Sequence, residues 1–152
     1  MKPIARILVT IDLDLATDPV LELAIRMAAA FGAQVEVIHI FETPGYHGPA
    51  VLEAGQSHAP ELEHWRTARL MVGLLDQLAA AGFKSRGRMA FGVVEEEVSR
   101  VARDEAFDLI IIGSHSRQGL DRLMAASVAA GLIRLAHCPV LVLPHVPEVI
   151  PG

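Results

Sequence analysis

Polar and hydrophobic positions along this chain fall into blocks that predict strands and helices in alternation. Four short apolar runs, rich in β-branched residues, are typical of strands buried on both faces. These runs are Arg6–Ile11, Gln34–Ile40, Asp108–Ile112 and Pro139–Leu143. A fifth segment, Phe83–Phe91, alternates more weakly and carries Arg86 and Arg88, as suits a strand at a sheet edge.

Between these runs, apolar residues recur every three or four positions, which predicts amphipathic helices. The helices are expected at residues 18–31, at 60–82, after Gly92 and at Ser127–Ala136. In the second helix the residues with this spacing are Leu62, Trp65, Ala68, Val72, Leu75 and Leu78. Strand–helix alternation predicts an α/β fold, an open parallel sheet of five strands with helices on both faces.

Composition narrows the class of protein. A chain of 152 residues suits a single domain over residues 1–152, and it holds no apolar stretch long enough to span a membrane. Its start lacks the pattern of a secretory signal, and the lone Cys138 excludes an internal disulfide, so we expect a cytoplasmic protein. A net charge of −5 argues against nucleic acid as a partner.

The stretch Gly113–Ser127 is the most informative part of the sequence. It follows an apolar strand, is rich in small residues and leads into a helical pattern. That arrangement collects free backbone N–H groups, which attract anions and above all phosphates. Arg117 is placed to pair with a phosphate, although a solvated salt bridge with Asp121 is the alternative.

This stretch resembles the nucleotide loop of the universal stress protein family. ATP-binding members of that family have glycine, two residues, glycine, nine residues, then glycine and serine or threonine. Here Gly113 and Ser127 match the ends of the frame, whereas Ser116 and Ala126 stand at the second and third glycine positions. The spacing is kept and two glycines are replaced by small residues.

The resemblance implies a strand order of 3-2-1-4-5, with strands 1 and 4 adjacent at the point where the topology switches. It places adenosine near Asp12 and the backbone of Ile40. It places the phosphates of ATP, with Mg²⁺ between them, over Gly113, Ser116, Ala126 and Ser127. Asp12 also has a plainer interpretation, since aspartate commonly caps a turn after a strand. The resemblance further implies a homodimer that pairs through the apolar strand Val140–Leu143. The alternative is that the tail His145–Gly152 covers this edge.

Other chemistries have little support in the sequence. The seven histidines show no tight metal-binding spacing, no Gly-x-Ser-x-Gly elbow is present, and the lysine of a phosphate-binding P-loop is missing. We therefore expect no metal site and no enzyme. The predicted function is a stress-response module that binds ATP and an unidentified protein partner, with the long Gly- and Pro-containing loop 42–59 ordered by the nucleotide. The alternative is a dimeric interaction protein whose loop binds no nucleotide.

Overall fold

The computed structural model describes residues 2–11, 19–42, 59–113 and 121–144, without the side chains of residues 59–63 and 121–126. Strands and helices alternate throughout the described chain, as the sequence pattern predicts. In order, the elements are β1 (Arg6–Thr10), α1 (Pro19–Phe31), β2 (Gln34–Glu42), α2 (Ala59–Ala80), β3 (Arg86–Gly92), α3 (Val94–Asp104), β4 (Leu109–Gly113), α4 (Asp121–Leu135) and β5 (Val140–Leu143).

The strands form one parallel sheet in the order β3-β2-β1-β4-β5, which confirms the predicted topology. β1 is central: Val9 pairs with Val37 of β2 on one side and with Ile111 of β4 on the other. β3 and β5 are the edge strands, because they end the order at either side.

Two apolar layers hold the helices against the sheet. Side chains of alternate strand residues point to opposite faces, so Ile7 and Val9 pack on the side of α1 and α2, and Leu8 packs on the side of α3 and α4. All three are fully buried. The near-continuous apolar runs in the sequence arise because both faces of these strands are covered.

Charged groups join the elements at the amino end of the sheet. The carboxylate of Glu36, on β2, is buried and lies 3.0 Å from Arg88 of β3, and Arg88 also contacts Glu105 at 2.6 Å. The hydrogen bond from Arg88 lowers the pKa of Glu105. Burial alone would raise the pKa of Asp108, but backbone N–H groups of Ala5 and Arg6 and the ammonium of Lys2 lower it overall. These ionised contacts secure the end of the sheet opposite the predicted site.

Several predicted boundaries differ from the structure. β3 begins at Arg86 rather than Phe83. Glu42 is the last residue of β2 and Ala59 the first of α2, so the loop is shorter at both ends than predicted. Residues 43–58 lie outside the described part of the chain.

The predicted start of the last helix, at Ala126–Ser127, is wrong. α4 begins at Asp121. The intervening residues Leu123, Met124 and Ala125 are strong helix formers, and no breaker separates them from the rest of the helix. The helix therefore starts before the position that the family frame suggested.

The predicted apolar row of α2 is only partly buried. Leu78 is buried and Leu75 packs against the core, but Trp65 and Val72 expose 69% and 59% of their surfaces. Thr67 and Met71, which are not in the predicted row, are buried instead. Apolar residues occur on both sides of α2, so spacing alone did not identify the buried row.

Candidate functional site

The carboxyl ends of β1 and β4 lie side by side where the sheet topology reverses. Thr10, at the end of β1, pairs with Ile112 of β4, and Gly113 follows as the last residue of β4. Along the chain, β1 leads to β2 on one side and β4 leads to β5 on the other. The connections therefore leave in opposite directions, and open α/β sheets bind ligands in the crevice outside strand ends of this kind.

The structure describes some of the predicted site residues and not others. Asp12, Ser116 and Arg117 lie outside the described residues, as does the side chain of Ala126. Ile40 is buried in β2 with its side chain on the α3–α4 face, so its backbone is the part available at the strand end. Gly113 is partly exposed and pairs with Leu143, and Ser127 is exposed on α4.

The early start of α4 changes what Ala126 and Ser127 can offer. In an α-helix only the first four backbone N–H groups lack a partner within the helix. Because α4 begins at Asp121, the amides of Ala126 and Ser127 belong to its second turn and are used inside the helix. These two amides are therefore not available to a phosphate, and the Ser127 hydroxyl is the group that remains.

Thr10 is a polar residue of this edge that the sequence analysis missed. Its Oγ1 is buried and is the one such side-chain atom, among the described residues, without a hydrogen-bond partner. Register with Ile38 and Ile112 places Thr10 between two aliphatic residues at the end of the central strand. A buried hydroxyl without a partner costs about 1–3 kcal/mol, so this atom favours a ligand or water molecule that can bond to it. A threonine in an otherwise aliphatic strand was the available signal.

Aromatic rings cover the same edge farther out, over β2 and β3. His39 is half-buried, and its Nδ1 lies 3.2 Å from the carbonyl oxygen of Ile11, which links β2 to the end of β1. The ring of Phe41 lies 4.9 Å from His39, 5.0 Å from Phe91 and 5.4 Å from His64, centroid to centroid. The edge thus offers backbone and hydroxyl groups at β1 and β4, and aromatic surface at β2 and β3.

The described residues give no sign of metal or thiol chemistry. Within that part of the chain, no group of three or more His, Cys, Asp or Glu side chains is placed to hold a metal ion. Cys138 is half-buried against the α3–α4 layer, and burial raises the pKa of its thiol. None of the described helices is long and apolar enough to cross a membrane.

The fold defines the class of protein: an open, doubly wound α/β domain whose topology switches between β1 and β4. The model of the universal stress protein family matches residues 3–144. The chain belongs to the universal stress protein family.

Two relatives show the extent of the similarity. Universal stress protein A homolog 1 of Coxiella burnetii is 31% identical over 139 residues, which are 89% of this chain and 92% of that protein. Universal stress protein MJ0577 of Methanocaldococcus jannaschii is 35% identical over 72 residues, which are 47% of this chain and 44% of that protein.

Solved structures confirm the fold. A universal stress protein from Archaeoglobus fulgidus in complex with dAMP has a TM-score of 0.62 at 18% identity, over 93% of this chain and 98% of that chain. A universal stress protein in complex with cAMP has a TM-score of 0.67 at 18% identity, with the same two coverages. At this identity the likeness establishes the architecture alone.

Proposed function

We propose that this protein is a stress-response binding module that takes an adenine nucleotide, ATP with Mg²⁺, into the crevice between β1 and β4. The observation that carries the proposal is the unpartnered Thr10 hydroxyl at this crevice. Family members of the same fold are in complex with dAMP and cAMP, which supports an adenine nucleotide as the ligand class.

In this proposal each part of the nucleotide meets a different part of the edge. The carboxylate of Asp12 accepts hydrogen bonds from the ribose, and the backbone of Ile40 contacts adenine. The phosphates are held over the segment from Gly113 to Ser127. The residues in that segment are Gly113, Ser116, Arg117, Ala126 and Ser127. Ser127 contributes its hydroxyl, because the amides of Ala126 and Ser127 are used within α4. Mg²⁺ lies between the phosphates.

The proposed role is binding rather than turnover. Cys138 packs against the α3–α4 core layer with a raised thiol pKa, which disfavours it as a nucleophile. Nucleotide binding would act on a protein partner by changing the surface around the crevice. Release of ADP or AMP at multiple turnovers would contradict this role.

Calorimetric titration of the nucleotide-stripped protein with Mg-ATP tests the proposal. We expect saturable binding tighter than about 1 mM, equivalent to roughly −4 kcal/mol, and a clear loss of affinity for Asp12→Ala. AMP and cAMP, titrated in parallel, determine how much the β- and γ-phosphates contribute. Glu22→Ala, an exposed substitution on α1, is the control and should bind as the wild type does. The absence of a heat of binding when the wild type is titrated with Mg-ATP would contradict the proposal.

A second candidate function is a dimeric interaction protein that binds no nucleotide. The start of α4 at Asp121 favours it, because the amides of Ala126 and Ser127 are then committed to the helix. In either case we propose a homodimer through β5, the apolar edge strand whose four residues are each partly exposed. An exposed apolar edge favours pairing with a second strand.

A further inference from the structure

The outward face of α2 carries a row of exposed residues that the fold does not use. We call this row the outer stripe of α2. It comprises Trp65, Arg69, Val72, Gly73, Asp76 and Ala80, all exposed. Spacings of four, three and four residues from Trp65 to Asp76 place these side chains on one side of the helix. The buried residues of α2, Thr67, Met71 and Leu78, lie on the other side.

Two features of the outer stripe are unfavourable for an isolated chain. Trp65 exposes 69% of its surface and Val72 exposes 59%. A tryptophan contributes most when its large apolar surface is buried. Arg69 and Asp76 form no ion pair with another residue in the described ranges. The stripe therefore presents apolar surface and both signs of charge to an external partner.

Gly73 is a third, independent feature of the outer stripe. Glycine inside a helix destabilises it relative to alanine. A Cβ added at Gly73 would meet no atom within 4 Å, so packing within the chain does not require glycine there. Gly87, by contrast, would bring a Cβ to 2.8 Å from Met71. Close approach of another molecule to α2 would explain a glycine at position 73.

The order of residues along the stripe identifies that molecule. About the point midway between Val72 and Gly73, each residue has a complementary counterpart at the same distance on the other side. Large Trp65 is opposite small Ala80, cationic Arg69 is opposite anionic Asp76, and Val72 is opposite Gly73. Two copies of this helix, packed antiparallel about a twofold axis, bring every one of these pairs together twice.

We propose that α2 is a self-association surface, on which the outer stripe of one chain packs antiparallel against that of a second copy. Trp65 covers Ala80 of the partner subunit, Arg69 pairs with Asp76 of the partner subunit, and the two glycines let the helix axes approach. The contact lies on the β3 side of the sheet, away from β5. It is independent of nucleotide binding.

Charge exchange tests the pairing directly. Arg69→Glu and Asp76→Arg each place like charges together twice, so each should weaken association at least about tenfold, as like charges across an interface do. The double variant Arg69→Glu/Asp76→Arg restores both ion pairs and should recover affinity to within about threefold of the wild type. Reversal of the exposed Glu22–Arg26 pair on α1 is the matched control and should leave the affinity of self-association unchanged.

The readouts are sedimentation equilibrium of the full chain over a range of concentrations and the emission of Trp65. Trp65 is the chain's single tryptophan, so its fluorescence reports this surface and not β5. We expect a blue shift that grows with concentration and is lost in each single variant. Gly73→Leu should also abolish the blue shift, because its side chain keeps the two helices apart. Far-ultraviolet circular dichroism identifies any variant that fails to fold. Emission independent of concentration, or a double variant as weak as the single ones, would overturn the proposal.

Discussion

At the residue scale, the Thr10 hydroxyl is the group whose removal is most informative. It is buried between Ile38 and Ile112 and has no hydrogen-bond partner in the part of the chain that the structure describes. Thr10→Val keeps the shape and removes the polar atom, so the ligand-free protein should gain roughly 1 kcal/mol in its free energy of unfolding. Urea denaturation of the stripped protein measures this gain. If the hydroxyl bonds to the nucleotide, the same variant should bind Mg-ATP about tenfold more weakly.

Ser99 is the matched control for Thr10, because it is a buried hydroxyl that has a partner. Its Oγ donates to the carbonyl oxygen of Leu135 at 2.9 Å and links α3 to α4. Ser99→Ala should therefore lower the free energy of unfolding by about 1–2 kcal/mol, the opposite sign. A Thr10→Val protein no more stable than the wild type would show that a water molecule or another group already satisfies the hydroxyl.

At the scale of elements, the contact between α2 and β3 depends on the absence of a side chain at Gly87. A Cβ there would lie 2.8 Å from Cγ and Sδ of Met71 and 3.0 Å from Cδ1 of Leu75. Gly87→Ala should cost about 1–2 kcal/mol, since the buried Met71 has little room to move. Gly73→Ala, on the open side of the same helix, should instead stabilise the protein by about 0.5–1 kcal/mol at concentrations where it is monomeric.

Chemical denaturation of both variants tests this contrast. Met71→Ala creates space beside position 87, so adding Gly87→Ala to it should cost less than Gly87→Ala costs alone. Equal costs in the two backgrounds would mean that the methyl group is accommodated elsewhere and that α2 does not constrain β3 in this way.

Sequence patterns identified the elements better than their faces and ends. The strands were clear because β1, β2 and β4 are buried on both sides and read as continuous apolar runs. In α2, apolar residues such as Trp65 and Val72 also occupy the outward side, so the period of the pattern does not show which side is buried. The start of α4 was misplaced because the family resemblance suggested a start at residues 126–127. Residues 121–126 themselves favour a helix, and the helix begins with them.

At the candidate site, prediction was limited for a different reason. The strand order follows from the family resemblance, so the adjacency of β1 and β4, with Gly113 at the end of β4, could be predicted. The sequence shows a threonine in an aliphatic strand, but it does not show whether the hydroxyl has a partner. That depends on neighbours that are distant in sequence, here Ile38 and Ile112.

At the scale of the whole molecule, the edge of β5 that faces away from β4 determines how two subunits can pair. Ile110 of β4 donates its N–H to the carbonyl oxygen of Pro139 at 3.0 Å. In a parallel pair alternate residues direct their N–H and C=O groups toward the same neighbour. Pro139 and Leu141 therefore face β4, and the backbone groups of Val140 and Val142 are directed away from it.

This geometry gives a specific test of the β5 homodimer. Val142→Pro removes an outward N–H and adds a ring at the edge, where proline is tolerated, but leaves the groups that pair with β4. The variant should keep its fold and lose the dimer in light scattering, at concentrations low enough that Trp65 emission reports no contact at α2. Val142→Ala, which keeps the N–H, should remain a dimer. A dimeric mass for folded Val142→Pro would place the subunit contact elsewhere, because pairing along β5 needs the edge that proline blocks.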